Sequence, residues 1–474
     1  MRSLLGPAAV HGAMLVAGMG VLRAFGVVRR GSAVRWLAAA GLAYLCGVAG
    51  VMLVSIVVLV LGGPFDLKTF AVVCAVLALP LVLELPEGRR LLTLPRVAAI
   101  RDWPLERQLG VATLVAFGVL AVIGLFSVGN SPVDQYDAWN IWTRKAELLS
   151  VRPHLPLEVF KSAAYYRIGN AFGNVHPDYP LVLPMLEAIH LRGLGRVDVR
   201  QVHEVFWLLL IAFVWAGGFL ASRISRAAVW SLLLCGAALF VLGPLLTAYA
   251  DVPMALFLGT GVLALGLWLE FGARSDLAVA VLLFGGAAGI KNEGLLGAVA
   301  ALVVALFVVL SRRQRERVRE LAVAALAFAA IGVIPWRLWL SAHGLKGDLP
   351  LGKGLDPGFL VDRFDRVWPS MGALHDQLLN HESVAIFAAI GIALAIARLR
   401  GPARSPVAAF YLATGVLYYF ALVWAYWISP LPLSFHLHTS VSRVWLGLGF
   451  IGLAGILQMG GALRTATPSK QPFR

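Results

Sequence analysis

The segment Ser131–Leu149, SPVDQYDAWNIWTRKAELL, crowds two carboxylates (Asp134, Asp137), three aromatics (Tyr136, Trp139, Trp142) and a cationic pair (Arg144, Lys145) against the end of an apolar run. A carboxylate at an apolar boundary gains proton affinity by partial desolvation and can serve as a general base. The structural alternative is capping: Asp137 could cap a helix through Trp139 to Leu149, with the tryptophans as an interfacial belt.

Five further constellations follow along the chain. HPDYP, from His176 to Pro180, holds His176, Asp178 and Tyr179 in a proline-rigid turn suited to an acceptor site or metal ligands; capping by Asp178 is the plain alternative. YADVP places Asp251 between two uncharged apolar runs, ahead of a proline that favours a first helical turn. GIKNEG sets Lys291, Asn292 and Glu293 at a hairpin tip, where a cation could bind phosphate or simply pair with the glutamate. PWRLW puts Arg337 among tryptophans, and FHLHTSVSR brings His436, His438, Ser440 and Arg443 to the start of a run. A cation there needs an anionic partner, either an acidic side chain or a ligand phosphate.

The elements that must position these residues are membrane helices. Mean hydropathy is +0.82, and only 14% of the 474 residues are charged, which excludes an ordinary soluble chain. The apolar runs are long enough to cross about 30 Å of hydrocarbon. They lack period-two alternation, so helices rather than barrel strands satisfy the backbone. The fold class expected is an all-α, polytopic transmembrane bundle of about 12–13 spans, with a large extracytoplasmic loop containing interfacial helices. Cys46, Cys74 and Cys235 fall inside apolar runs without CxxC spacing, so packing accounts for them.

The net charge of +15 has the same explanation. Arginines gather between the apolar runs, at Arg23 to Arg35, Arg89 to Arg107, Arg223 and Arg226, Arg312 to Arg319, and Arg398 to Arg404. Short basic links mark the cytoplasmic side, which argues against nucleic acid as a partner. Placing each cluster inside predicts spans near 4–22, 36–62, 67–85, 109–129, 202–221, 227–247, 253–271, 276–290, 293–311, 321–340, 383–398, 406–428 and 441–462. The N-terminus then lies outside and the tail with Lys470 and Arg474 inside. The stretch Tyr179–Leu194, with Pro180, Pro184, Glu187 and His190, is expected as an amphipathic helix on the outer surface, inside one long loop from 131 to 200. The organisation reads as N-terminal helices (1–108), a catalytic-type core (109–340), an extracytoplasmic loop (341–382), and C-terminal helices with a short tail (383–474).

In order and in common sidedness these motifs resemble the glycosyltransferase C (GT-C) superfamily, multi-spanning enzymes that use polyprenyl-phosphate-linked sugars. DQYDAW looks like the acidic motif of that superfamily's first large external loop, HPDYPLVLP like the proline-rich segment after it, YADVP like the later aspartate motif, and GIKNEG like the lysine-bearing hairpin. The likeness covers roughly residues 110–340. It departs in having three spans ahead of the helix that leads into DQYDAW. The resemblance implies a polyprenyl-phosphate sugar donor, an acceptor glycan, lipid or protein, and an active site on the extracytoplasmic face of a cell membrane.

The residues support that chemistry without the family. The reaction needs cations for the departing phosphate, a carboxylate for the acceptor's proton and an apolar groove for the lipid. Asp137, then Asp134, are the base candidates. Lys291, Arg443, Arg337 and Lys145 are the phosphate candidates. His176, Asp178, Tyr179, Trp139, Asp251, Asn292, Glu293, His436 and His438 are left for sugar or acceptor. A divalent cation, magnesium or manganese, could bind among Asp134, Asp137 and Asp251. A multi-pass transporter or flippase of a lipid-linked substrate is the competing class.

Overall fold

The computed structural model describes residues 5–28, 33–82, 105–155, 157, 167–168, 171–172, 176, 178–224, 233–234, 236–238, 241–345, 347, 352–380, 384–400 and 406–461. Outside them lie several positions used above: Arg29, Arg30, Arg89 to Arg101, Arg226, Arg404, Lys470 and Arg474, together with parts of the 131–200 loop and of the expected 227–247 span. The described chain is an all-α helical bundle. Its one strand pair among the described residues is the two-residue ladder Arg167–Ile168 against Ala171–Phe172.

Helices α1 (Leu5–Ala24) and α2 (Ala40–Val60) meet through glycine, since a Cβ at Gly18 would collide with the Ala43 carbonyl and one at Gly47 with the Met14 carbonyl. Small residues at such crossings let apolar helices approach where no hydrophobic drive separates protein from lipid. After α3 (Leu67–Val82) and α4 (Leu105–Val128), a π-helical turn (Ala138–Thr143) runs into α5 (Arg144–Val151). Next come α6 (Val182–Leu194), α7 (Val202–Ala221) and α8 (Asp251–Phe271). Helices α9 (Arg274–Ile290) and α10 (Asn292–Ser311) are separated by Lys291 alone, in extended backbone (φ −151°, ψ 151°). The chain closes with α11 (Arg315–Ala327), a second π-helical turn (Phe328–Val333), α12 (Ile334–Ala342), α13 (Val367–Asn380), α14 (Val384–Arg400), α15 (Pro406–Ile428) and α16 (Leu433–Gly461).

The axis of the bundle is α8. Pro253 sits in its first turn, and Gly272 ends it in the left-handed region (φ 73°). The apolar window of α8 is buried throughout, packed by α7, α9, α10, α15 and α16. Outward faces are apolar instead, as at Val115, Val119, Ile123 and Phe126 of α4 and Val323 and Leu326 of α11. Patches of that extent fit contact with lipid rather than water.

Eight helices among the described residues are long and apolar enough to cross a membrane. The expected spans near 67–85, 109–129, 276–290 and 383–398 are helical as α3, α4, α9 and α14, but their apolar lengths are shorter. Three local expectations are corrected. First, α6 does not lie on a surface: Val182 to Leu191 are all buried against α1, α2, α5, α7 and α9. Glu187 and His190 turn inward. His190 Nδ1 meets His11 Nε2 at 2.9 Å, His11 Nδ1 meets the Tyr44 hydroxyl at 2.7 Å, and His190 Nε2 lies 3.6 Å from Glu204. Burial pushes the His190 imidazole down to about 4 and holds the Glu187 carboxyl well above the usual carboxylate range. Second, the loop expected at 341–382 is largely helical, through Pro357–Val361 and α13. Third, α16 starts at Leu433 rather than near 441, so Arg443 sits inside a helix, about three turns from its start.

Candidate active site

The residues at the start of α8 gather most of the chemistry identified from sequence. Ala250 is the N-cap, so Asp251 opens the first turn, where the helix dipole favours negative charge. Its Oδ1 accepts from Lys291 Nζ at 2.6 Å, and Lys291 also lies 2.9 Å from Glu293 Oε1. Lys291 reaches Asp251 because it is the only residue between α9 and α10, held extended at their junction. Burial lowers the ammonium's proton affinity, but the Asp251 and Glu293 carboxylates outweigh it and hold Lys291 above the ordinary lysine range. The ammonium is therefore charged across all physiological pH.

Arg443 of α16 joins this pair to the first acidic motif. Its Nη2 donates to Asp137 Oδ2 at 2.6 Å across 306 positions of sequence, and its Nη1 lies 3.8 Å from Asp251 Oδ2. The guanidinium sits 4.1 Å over the Tyr249 ring, and the Tyr249 hydroxyl donates to Gln135 Oε1 at 3.2 Å. Gln135 in turn donates to Asp134 Oδ1 at 3.2 Å. Asp137 makes no capping hydrogen bond: its backbone is already helical, and its side chain turns to Arg443. The anionic partner that Arg443 requires is thus an acidic side chain in this state. Asp137 keeps 29% of its side chain exposed against 2% for Asp251, which leaves it the more accessible carboxylate.

The α9–α10 junction carries a second branch. Asn292 Nδ2 donates to Asp178 Oδ2 at 3.1 Å, and Arg337 Nη2 donates to Asn292 Oδ1 at 2.5 Å. Trp336 Nε1 donates to the Asp178 carbonyl at 3.1 Å, so α12 fixes the HPDYP turn directly through Trp336, while Arg337 reaches it only by way of Asn292. Asp178 does not cap α6, whose N-cap is Leu181 with no side-chain cap. Arg337 donates to the Asn292 amide and feels the nearby Asp178 carboxylate. Lys291 and Arg443, by contrast, face three carboxylates between them.

Other expected positions have structural work. Lys145 is buried and donates to the His176 and Tyr179 carbonyls at 2.8 and 3.3 Å. Tyr179 stacks on Trp142 and on His176 with centroids 5.1 Å apart in each case. The HPDYP turn is thereby clamped to the helix that follows Asp137. Trp139 takes the Arg144 guanidinium over its ring at 5.3 Å. His436 meets Tyr426 edge-on, and the Tyr426 hydroxyl bonds Ser440 at 2.9 Å; His438 is exposed. Tyr249, Gln135 and Trp336 are contributors that motif spacing does not reveal, since each acts across helices. The His11–His190–Glu204 chain had a faint signal, lone polar residues inside apolar runs.

Two buried acceptors of the cluster, Asp251 Oδ2 and Glu293 Oε2, have no hydrogen-bond partner. Arg443 lies between Asp137 and Asp251, and among the described residues no three metal-ligating side chains converge. Arg443 can meet an anion with the Asp137 carboxylate beside it. No protein-family model, curated protein or solved structure matches the chain, so the reading of this site rests on its own residues.

Proposed function

We propose that this chain is an integral membrane glycosyltransferase that moves a sugar from a polyprenyl-phosphate-linked donor to an acceptor hydroxyl, with inversion. The observation that carries the reading is the Asp137–Arg443 contact: an accessible carboxylate and a guanidinium, side by side at one end of an apolar bundle. In the reaction the acceptor oxygen bonds to the anomeric carbon while the bond from that carbon to the phosphate oxygen breaks. The phosphate leaves with the electron pair, and Asp137 takes the acceptor's proton.

Arg443 holds Asp137 when no donor is bound, and the donor phosphate competes for the same guanidinium. Its arrival releases the carboxylate to act as base, which ties base activation to donor binding. Arg337 supplies the second contact to phosphate. Lys291, already paired with Asp251 and Glu293, is a supporting residue in this scheme rather than a phosphate ligand. Asp178, Asn292 and Tyr179 border the remaining space, where sugar or acceptor would lie.

Binding of polyprenyl phosphate to the purified protein in detergent tests this. Arg443→Ala and Arg337→Ala should each weaken it by about 1.5–3 kcal/mol, roughly ten- to a hundredfold, because each removes a charge-assisted contact. Arg443→Lys should recover only part, since a point charge lacks the guanidinium's forked grip. Unchanged affinity in both alanine variants would remove the phosphate from this cluster.

The site is proposed to face away from the cytoplasm. Arg196 is suited to report this, because its side chain is 53% exposed whereas Arg192 is engaged with the Leu149 carbonyl. In cells, Arg196→Cys should react with an impermeant thiol reagent added outside. Labelling only after permeabilisation would reverse the orientation.

A second reading, a transporter or flippase, draws on the buried His11–His190–Glu204 chain, which the transferase scheme does not use. Buried titratable residues in series suit proton-coupled movement. Substrate uptake into proteoliposomes that dissipates an imposed pH gradient, with no sugar transferred, would favour it.

A further inference from the structure

A cavity of about 240 Å³ opens between α13, α14, α15 and α16, on the other side of α16 from the charged cluster. Arg443 and Trp445 stand two positions apart, about 200° around the helix, so one helix serves both places. Along α16 the lining runs from Trp445 to Gly455, about 15 Å of axis. The mouth is rimmed by Ile392, Val416 and Phe420, exposed at 46%, 47% and 52%, which are positions on the outward face of the bundle.

We propose that this groove is a binding site for one acyl chain of a bilayer phospholipid, separate from the active site. Among the described residues the lining contains no Arg or Lys, so it offers nothing to an anionic head and recognises the chain alone. Polar groups of the lining bond to one another or to neighbouring side chains. His375 Nε2 meets the Tyr419 hydroxyl at 3.1 Å with the rings stacked, and the Tyr411 hydroxyl donates to Gln458 Oε1 at 2.7 Å. What faces the cavity is therefore hydrocarbon and ring surface, a lining that water wets poorly and that lipid chains at the rim can fill. Trp445 Nε1 donates to the Leu374 carbonyl at 2.9 Å and pins α13 as one wall. The space itself comes from α15, where a Cβ added at Gly415 would meet nothing within 4 Å.

Gly415 gives the test. In nanodiscs containing a phosphatidylcholine with a diazirine midway along one chain, photolysis should label the peptides of α15 and α16 that line the groove. That label should exceed the label on the exposed α11 face at Val323 and Leu326, which reports ordinary lipid contact. Gly415→Phe places a ring in the groove and should bring its label down to the α11 level, with α11 unchanged; Gly415→Leu serves if the larger variant does not elute as a monodisperse peak. Groove label equal to the α11 level in the unaltered protein, or equal label before and after filling, would overturn the proposal. So would preferential labelling by a diazirine-bearing isoprenyl phosphate, or crosslinking between two chains through Val416→Cys, since each names a different occupant. None of these readouts depends on the transferase reading.

Discussion

Replacing Asp137 with asparagine should lower turnover by about 10²–10⁴, the usual contribution of positioned proton transfer, and should leave a folded protein that still binds donor. The asparagine keeps the size of the side chain and can still accept from Arg443 through its amide oxygen, but it cannot take the acceptor's proton. It also gives up the charge that competes with phosphate for Arg443, so donor affinity should rise rather than fall. That pairing of lost rate with tighter binding separates a base held in check from a structural ion pair. A purely structural Asp137 would show lower stability, with activity per folded molecule retained. Full turnover in Asp137→Asn and in Asp134→Asn would move the base elsewhere, with Asp178 next in line for its contact to Asn292.

How far the sequence reaches is clearest at Arg443. A cation entering an apolar run demands an anion, and that demand is visible in the residue order alone. Which anion is not visible, because Asp137 lies 306 positions away and periodicity assigns faces, not partners. The place of Arg443 inside a helix is hidden for a related reason: FHLHTSVS is polar enough to read as a loop, yet it continues the helix of α16. Thr439 and Ser440 donate to the Phe435 and His436 carbonyls one turn back, so their polarity is met within the helix.

The segment 182–194 is the opposite case. Prolines, Glu187 and His190 argue against a lipid-facing helix, and Val182 to Leu191 of α6 are buried among the surrounding helices. Its histidine finds His11 across 179 positions, a contact that hydropathy does not encode. The GIKNEG junction was the most legible, because glycines around a Lys-Asn-Glu tip announce a tight turn between small-residue helices. Even there, the division of labour between Lys291, bound inward to Asp251, and Asn292, turned to Asp178 and Arg337, emerges only from the packing.

Lys291→Met should destabilise the protein by about 3–5 kcal/mol, the range for removing one partner of a buried ion pair. Asp251 would be left almost wholly buried, with the Arg443 guanidinium 3.8 Å from its other oxygen and no hydrogen bond to replace the ammonium's. Glu293, also turned to Lys291, would lose its partner at the same time. The double variant Lys291→Met with Asp251→Leu removes both buried charges and should recover much of the loss, since a buried pair exchanged for apolar side chains of similar volume is often near neutral. Thermal unfolding in detergent measures all three, and a double variant no more stable than Lys291→Met would deny that the cost lies in the stranded carboxylate. Donor binding per folded molecule separates this from a ligand role. It should be nearly unchanged in Lys291→Met, because Arg443 and Arg337 carry the phosphate in the proposed scheme. A ten- to hundredfold loss of donor affinity at unchanged stability, about 1.4–2.7 kcal/mol, would return Lys291 to the phosphate site and make Asp251 the residue that holds it ready.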